Sequence, residues 1–219
     1  MIGQKSSATV DPCMEAVNER ILSVTEAVLT RRSIRKFKPE PIPKETLEEI
    51  LTLALKAPSS NNLQPWRVAV VQNPELKERL REAANNQAQV GSAPAVLAVY
   101  SDMKDTLAQV EEIFHPGFSD EQKQTRAANL RKAWEGKSDE ERENWGKAQG
   151  FILLGYLMLI ARSFGYDTVP MGGFNAAKVK ELLGLPSHVA ITALLPIGIA
   201  DEAGREHHRH SLERVVQWQ

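Results

Sequence analysis

The densest group of charged side chains lies in the eight residues from Arg31 to Lys38 (RRSIRKFK). This segment holds five cationic side chains and the hydroxyl of Ser33, and no acidic residue occurs between Glu26 and Glu40. Forked guanidinium groups and a short hydroxyl suit phosphate oxygens, which accept paired, charge-assisted hydrogen bonds. Cations also favour helix C-termini. The segment by itself is therefore compatible with a phosphate site or with the solvated end of a helix.

Three further polar segments interrupt stretches of hydrophobic sequence. They are Pro58-Ser59-Ser60-Asn61-Asn62, Asn86-Gln87-Ala88-Gln89 and Pro170-Met171-Gly172-Gly173. Each has a purely structural explanation, because a Ser-Asn loop can cap a strand, amides can lie on an exposed helix, and a glycine pair can form a turn. Only their combination and their order along the chain indicate a shared function.

The histidines of the C-terminal tail, His207-His208-Arg209-His210, are compatible with a metal tract, an anion contact or an exposed tail. Histidines adjacent in sequence rarely share one ion, and no acid or thiol lies at ligand spacing, so we predict no metal site here. The chain also lacks the G-x-S-x-G, G-x-x-x-x-G-K-[ST], H-E-x-x-H and G-x-G-x-x-G motifs. These absences argue against the common hydrolase, phosphate-loop and Rossmann sites.

Composition excludes several classes of partner. The chain has 27 basic and 28 acidic residues, a formal net charge of −1, which argues against nucleic-acid binding by bulk charge. A single cysteine, Cys13, excludes an internal disulfide and favours a reducing, cytoplasmic location. The first dozen residues lack a hydrophobic export signal. The uncharged and largely apolar run from Ala148 to Ala161 is shorter than the roughly 20 residues of a membrane span, so we predict no membrane association.

Hydrophobic periodicity, together with the turn and capping residues between the periodic segments, predicts alternating helices and strands. The predicted helices are Met14–Thr30, Lys44–Lys56, Asn73–Ala84, Gln149–Phe164 and Asn175–Leu183. The predicted extended segments are Arg67–Gln72, Ala95–Tyr100, Tyr166–Met171 and Val189–Ile199. Because helices separate the strands, the pattern indicates an α+β or three-layer fold with a central sheet.

We predict a flexible tail over residues 1–13 and one domain over residues 14–219. Within that domain, residues 102–147 form a charged helical excursion, and residues 201–219 form a C-terminal extension. The excursion carries Phe114, Phe118, Trp134 and Trp145 among polar residues. Its tryptophans either pack in a core or cover a pocket.

The polar segments, taken in order, resemble the nitroreductase family of FMN-dependent oxidoreductases from about Ala27 to Trp218. The resemblance is closest in A-P-S-S-x-N-x-Q-P-W (Ala57 to Trp66) and in G-Y-D-T-V-P-M-G-G-F (Gly165 to Phe174). It implies a three-layer α/β/α fold with a central mixed, mainly antiparallel sheet. It further implies a homodimer with FMN at the subunit interface, where the apolar helix at 148–161 buries its surface.

The resemblance assigns the FMN phosphate and ribityl chain to a basic group: Arg31, Arg32, Ser33 and Arg35. His207 and Arg209 would close on the same phosphate, with His207 standing where the family usually has lysine. A protonated histidine can keep some positive charge there.

The remaining implied contacts surround the flavin ring. Pro58, Ser59, Ser60 and Asn62 would reach the ring and ribityl chain across the dimer. Asn86 would lie at the polar edge of the ring, because an amide can both donate to and accept from that edge. Gln89, one helical turn further on, would contact the same edge or the nicotinamide. The segment near flavin N5 would comprise Pro170, Met171, Gly172 and Gly173, with Gly172 where the family often has glutamate.

The activity implied by the resemblance is hydride transfer from NADH or NADPH through flavin N5 to nitroaromatics, quinones or similar small electron-poor acceptors, with no catalytic protein side chain. Two alternatives stay open. One is an offshoot of the family, such as an enal reductase, a dehalogenase or an azoline-type oxidase, and the other is a protein that stores or senses FMN without turnover.

Overall fold

The computed structural model of the protein describes residues 21–219. The α-helices in this range are α1 (Val24–Thr30), α2 (Lys44–Ala54), α3 (Pro74–Ala83), α4 (Ala88–Ser92), α5 (Met103–Ala108), α6 (Asp120–Ala133), α7 (Asp139–Ser163), α8 (Ala176–Leu182) and α9 (Leu212–Val215). Two short 3-10 helices cover Ser60–Asn62 and Val110–Ile113. The predicted tail at 1–13, Cys13 and the first residues of the helix predicted from Met14 lie outside the described residues.

Four strands form one sheet in the order β1-β2-β4-β3. They are β1 (Trp66–Val71), β2 (Ala95–Ser101), β3 (Asp167–Thr168) and β4 (Ala190–Gly198). The three pairings of neighbouring strands are antiparallel. A parallel bridge between Ser33 and Thr168 extends the sheet beyond β3. The predicted mixed, mainly antiparallel sheet is therefore confirmed.

Helices cover both faces of this sheet, because the side chains of β2 and β4 alternate between two buried clusters. Leu97 and Val99 face a cluster that includes Leu153 and Leu157 of α7 and Ile50 of α2. Val96, Ala98 and Leu194 face the other cluster, with Leu80 of α3, Val90 of α4 and Val179 of α8. The predicted three-layer α+β architecture follows directly from this two-sided burial.

Capping side chains set several predicted helix boundaries. Asn73 precedes α3 and accepts a hydrogen bond from the backbone of Leu76, and Asn175 does the same for Lys178 at the start of α8. Gly165 follows α7 with φ +83°, and the backbone N–H of Tyr166 donates to the carbonyl of Ala161. This is the glycine-dependent Schellman ending that the sequence predicts.

Two predicted helices differ from the structure, the first because residues 21–23 are not helical and the second because it starts earlier. Within the described residues α1 begins only at Val24, because Ser23 has extended backbone and caps the helix by accepting from the Glu26 backbone. The apolar helix does not begin near Gln149: α7 starts at Asp139 behind a capping box of Ser138 and Glu141. The charged excursion and the apolar core helix therefore share one 25-residue helix.

In the described part of the chain, no helix combines the length and the apolar character that crossing a membrane requires.

Candidate functional site

The cationic segment from Arg31 to Lys38 runs extended along the edge of the sheet. Ile34 donates its backbone N–H to the carbonyl of Thr168 at 3.2 Å, and Lys38 donates to that of Ile199 at 2.9 Å. Ile34 and Phe37 are buried while Arg35, Lys36 and Lys38 are exposed. The segment is thus an edge extension of the sheet that presents Arg35, Lys36 and Lys38 outward. Its first residues also form the end of α1, because Arg31 is the C-cap and Arg32 donates to the carbonyl of Leu29 at 2.8 Å.

The C-terminal tail returns to this segment. Gly204 has φ +69°, and a Cβ placed on it would lie 2.7 Å from Cβ of Arg32, so only glycine allows the tail to pass this closely. Nε2 of His207 donates to the carbonyl of Arg31 at 2.6 Å. Arg209 lies close enough to Arg31 to influence its ionisation. We call the resulting group the basic cluster; its members are Arg31, Arg32, Ser33, Arg35, His207 and Arg209.

The basic cluster concentrates like charge. Partial burial, then Arg209 and Arg32, lower the pKa of the Arg31 guanidinium, which still stays charged because arginine keeps its proton in proteins. The opposing influence comes from Asp167 of β3. Asp167 is buried and forms an ion pair with Arg162 at 3.0 Å. The Glu202 carboxylate also lies here and accepts from the Arg35 backbone N–H. Two carboxylates, one of them shared with Arg162, do not neutralise the arginines of the cluster, so the cluster favours a bound anion.

The predicted amide segment forms a second group beside the glycine pair. Asn85 and Asn86 both have φ 56°, in the left-handed region that asparagine tolerates. The carbonyl of Gly173 accepts from Nδ2 of Asn85 at 3.1 Å and from Nε2 of Gln87 at 2.9 Å. We call residues 85–87 the amide turn. Its contacts bring the predicted ring-edge residues next to the predicted N5 segment.

Two predicted ring contacts have other partners in this structure. The side-chain oxygen of Asn86 accepts from Arg81 at 3.3 Å while the residue stays exposed. Gln89 is buried in α4 and donates to Gln87 at 3.1 Å. Gln89 therefore supports the amide turn from behind, and Asn86 is the more accessible of the two.

The Pro170–Gly173 segment connects the basic cluster to the amide turn. Met171 exchanges backbone hydrogen bonds with Leu194 of β4, at 2.8 and 3.1 Å. Gly172 is exposed, and no atom lies within 4 Å of a Cβ placed on it. Space for a flat ligand is therefore available where the family often carries glutamate. One continuous edge of the sheet holds cations at one end and amides at the other.

The Ser59–Asn62 segment, the Ser–Asn loop, lies against different elements. Asn61 and Asn62 have φ 54° and 57°. The backbone N–H of Ser60 donates to Oε1 of Gln149 in α7 at 3.0 Å, and Nδ2 of Asn62 donates to the carbonyl of Ile113 at 3.1 Å. Pro58 is also exposed. These contacts attach the loop to α7 and the excursion, whereas the other predicted site residues lie along the edge beyond β3.

A cavity of about 840 Å³ opens beside the Ser–Asn loop. Its walls include Asn61 and Asn62 from the loop, together with Phe114, Phe118 and Arg126 from the excursion. The tryptophans do not line it. Trp134 and Trp145 meet edge to face, 4.9 Å between ring centroids, and pack against the small core formed by Leu63, Val110 and Ala127. The tryptophans therefore pack in a core and do not cover this cavity, whereas Phe114 and Phe118 line it.

One buried polar group at the base of the excursion has no recognisable signature in the sequence. Glu143 of α7 is 3% exposed, and its carboxylate accepts from the Ser101 hydroxyl at 2.5 Å and from the Met103 backbone at 2.7 Å. Nearby, His188 and Asp102 contact each other at 3.0 Å. A carboxylate oxygen of Asp102, a carboxylate oxygen of Glu143 and a ring nitrogen of His188 lie within 4.8 Å of one another. No local motif could reveal them, because each comes from a different element, and both oxygens of Glu143 already accept protein hydrogen bonds.

Comparisons with known proteins agree with this geometry. The profile described as "Nitroreductase family" matches residues 28–199. A Thermus thermophilus protein named "NADH dehydrogenase" is 46% identical over 198 residues, 90% of this chain and 97% of the relative. A Bacillus subtilis protein named "Putative NAD(P)H nitroreductase YdgI" is 36% identical over 201 residues, 88% of this chain and 96% of the relative.

Solved structures give the same result. An Exiguobacterium sibiricum protein described as "a putative nitroreductase in complex with FMN" has a TM-score of 0.83 and 32% identity, covering 92% of this chain and 99% of that chain. The matched segment includes the basic segment, the Ser–Asn loop, the amide turn and the Pro170–Gly173 segment. The chain belongs to the nitroreductase family, as the sequence motifs predict.

Proposed function

We propose that this protein is an FMN-dependent oxidoreductase that uses NADH or NADPH to reduce nitroaromatics, quinones or similar electron-poor acceptors. The observation that carries the proposal is the continuous edge from the basic cluster to the amide turn. It presents cations, an open backbone and amides in the order that the phosphate, the ring and the polar ring edge of FMN require.

The chemistry of the residues present fits this cofactor. Arg31 and Arg209 offer charge-assisted donors to a dianionic phosphate, and Ser33 adds a hydroxyl. The open space at Gly172 leaves room for a planar ring and for backbone donors beside it. Asn86 is accessible, and its amide can both donate and accept. His207 already donates from Nε2 to the Arg31 carbonyl, so we assign it to positioning Arg31 as well as to the anion itself.

When bound at these residues, FMN would supply the two-electron redox chemistry between a reduced nicotinamide and the acceptor. The protein binds and orients both molecules and needs no nucleophile of its own. The nearby arginines, Arg35 among them, stabilise negative charge on the cofactor. The main-chain atoms of Gly172 and Gly173 form the wall beside the ring.

We further propose a homodimer in which each site is completed by the partner. Large apolar side chains stay exposed on α1, on α7 and in the tail. They are Val24, Val28, Leu29, Phe151, Ile152, Tyr156, Leu212, Val215 and Trp218. Burying this surface against a second copy removes apolar area from water. The Ser–Asn loop lies next to α7 and would reach the cofactor held by the other copy.

Anaerobic mixing of the purified holoprotein with NADH or NADPH tests this function. We expect the absorbance of bound flavin near ~450 nm to bleach with at least one nucleotide and to return when a quinone is added. Matched mixing with NAD⁺ controls for binding alone. Stable absorbance with both reduced nucleotides would contradict the proposal and favour an offshoot of the family or a flavin-storing protein.

A further inference from the structure

We infer that Arg126 makes the cavity beside the Ser–Asn loop selective for acceptors that carry a carboxylate or another anionic group next to their electron-poor ring. This inference rests on the proposed function, because it takes that cavity as the place where the acceptor binds. It goes further by naming the chemical class of the acceptor and the residue that selects it.

The position of Arg126 prepares it for this contact. Arg126 lies on α6, and its guanidinium carbon is 4.4 Å from the centroid of the Phe118 ring. Contact of the cation with an aromatic face helps to hold the guanidinium in place. A carboxylate can accept two guanidinium donors side by side. The structure therefore places a restrained guanidinium group in the cavity wall.

Other arginines of the excursion are already neutralised. Arg131, five positions later on α6, forms two hydrogen bonds of 2.7 Å with the Glu111 carboxylate. Arg142 lies 3.8 Å from Asp139. Within the described residues, Arg126 has no carboxylate at ion-pair distance, although it lines a cavity that an acceptor could enter. Its charge is therefore available to a ligand.

The remaining charged or titratable groups in the wall do not cancel this charge. Glu112 lies where the larger cavity meets a separate cavity of about 530 Å³, because Glu112, Gln64 and Ile113 line both cavities. Neither Arg126 nor Phe118 lines the smaller cavity, although Arg126 also borders a shallow depression with Glu121, whose carboxylate is not at ion-pair distance. Nδ1 of His115 accepts from the Gly117 backbone N–H at 3.0 Å, so this ring atom is already engaged within its own turn. The Glu112 carboxylate and the guanidinium thus belong to different parts of the wall.

The other walls suit a flat, polar-substituted ring. Phe114 and Phe118 provide aromatic faces, which favour offset or edge-to-face packing of another ring. The amides of Asn62 and Asn129 offer donors and acceptors on the same cavity. An aromatic acceptor with one anionic substituent would satisfy the ring faces, the amides and Arg126 together.

The test compares 4-nitrobenzoate with its neutral methyl ester, using the same nucleotide for both. In the Arg126→Gln holoenzyme we expect the ratio of kcat/KM for the anion to that for the ester to fall about fivefold, the upper range for a solvent-accessible ion pair. Arg126→Lys should retain most of the wild-type ratio, because it keeps the charge. Lys132→Gln makes the same charge change on the same helix outside this cavity, and it should leave the ratio unchanged.

A direct binding measurement keeps this inference separate from the proposed function. Calorimetric titration with 4-nitrobenzoate should give a dissociation constant about fivefold higher for Arg126→Gln than for wild type, with the difference shrinking at high salt. If the enzyme reduces neither compound, the proposed function fails, and this titration still decides the role of Arg126. An unchanged ratio, or an unchanged dissociation constant, in Arg126→Gln would overturn the inference.

Discussion

The basic cluster and the Ser–Asn loop are the two parts of the candidate site, and they are built in opposite ways. The basic cluster joins two segments far apart in sequence, at Arg31 and Arg209, within one copy of the chain. The Ser–Asn loop is one short segment with left-handed backbone at Asn61 and Asn62. It lies on α7, whose Phe151 is 52% exposed and Tyr156 39% exposed.

This difference separates two kinds of binding energy. The basic cluster attracts an anion through charge and needs nothing beyond its own chain, so its contribution should weaken with salt. The Ser–Asn loop contributes shape and amide hydrogen bonds, and in the proposed dimer it does so for the partner's cofactor. Variants that damage one part while sparing the other can therefore test how the site is assembled.

The largest expected effect comes from removing the two arginines that join the basic cluster. In Arg31→Ala with Arg209→Ala, two charge-assisted contacts to phosphate are lost, each with a contribution of about 1.5–3 kcal/mol. The dissociation constant of FMN should then rise by about a hundredfold or more. Gel filtration followed by absorbance of the protein peak measures the retained flavin.

Arg79→Ala is the matched control, because Arg79 is exposed on α3 outside the basic cluster. It should retain flavin like the wild type. Circular dichroism should show the double variant folded, since neither arginine belongs to the buried core. Stoichiometric flavin in the folded double variant would contradict the assignment of the phosphate to this cluster.

The second prediction concerns the apolar face of α7. A charge placed there by Tyr156→Glu would have to be buried in the dimer, so we expect a monomer by light scattering. If the Ser–Asn loop serves the partner's site, the monomer should lose FMN affinity by about tenfold or more, although its basic cluster is intact. Dilution of the wild type below the dimer dissociation constant should release flavin for the same reason.

Val70→Glu provides a comparison of equal charge, because Val70 is a partly exposed apolar residue of β1, on the opposite edge of the sheet from β3. This variant should stay dimeric and yellow. A Tyr156→Glu monomer that holds FMN as tightly as the wild-type dimer would show that one copy suffices for the site.

The sequence predicts the parts of this fold that depend on local signals. Asn73, Asn175 and Gly165 set helix boundaries by capping chemistry that acts over a few residues. The polar segments of the site are also recognisable, because each departs from the hydrophobic pattern around it. Family motifs then predict which of these segments belong together.

Features that depend on packing between distant elements are not predictable in this way. The start of α7, ten residues before Gln149, is a separate case: the capping box of Ser138 and Glu141 is a local signal, but hydrophobic periodicity is weak in this charged segment. Trp134 and Trp145 form a separate small core instead of covering the cavity, which only their partners on other elements decide. Arg126 has no distinguishing sequence context, and its role depends on the cavity that α6 helps to form.

The smallest expected effect on the cofactor site comes from a variant that loosens the excursion, and with it the cavity beside the Ser–Asn loop, while leaving the basic cluster intact. Glu143→Ala leaves the Ser101 hydroxyl and the Met103 N–H without their acceptor in a buried site. We expect a loss of roughly 2–3 kcal/mol in the free energy of unfolding. Urea titration of the apo-protein measures this loss, and the affinity for inorganic phosphate should not change.

Glu143→Gln separates charge from hydrogen bonding in the same place, because its amide can still accept from Met103 and can donate to Ser101. Burial raises the pKa of Glu143 above its ordinary 4.5, against the opposing hydrogen bonds from Ser101 and Met103. The folded state therefore holds this proton more tightly than the unfolded chain, so stability falls as pH rises from 4.5 through the raised pKa. The permanently neutral glutamine removes that fall. The melting temperature of wild type should accordingly drop relative to Glu143→Gln over this range, and a constant difference between the two would show that Glu143 keeps its ordinary pKa.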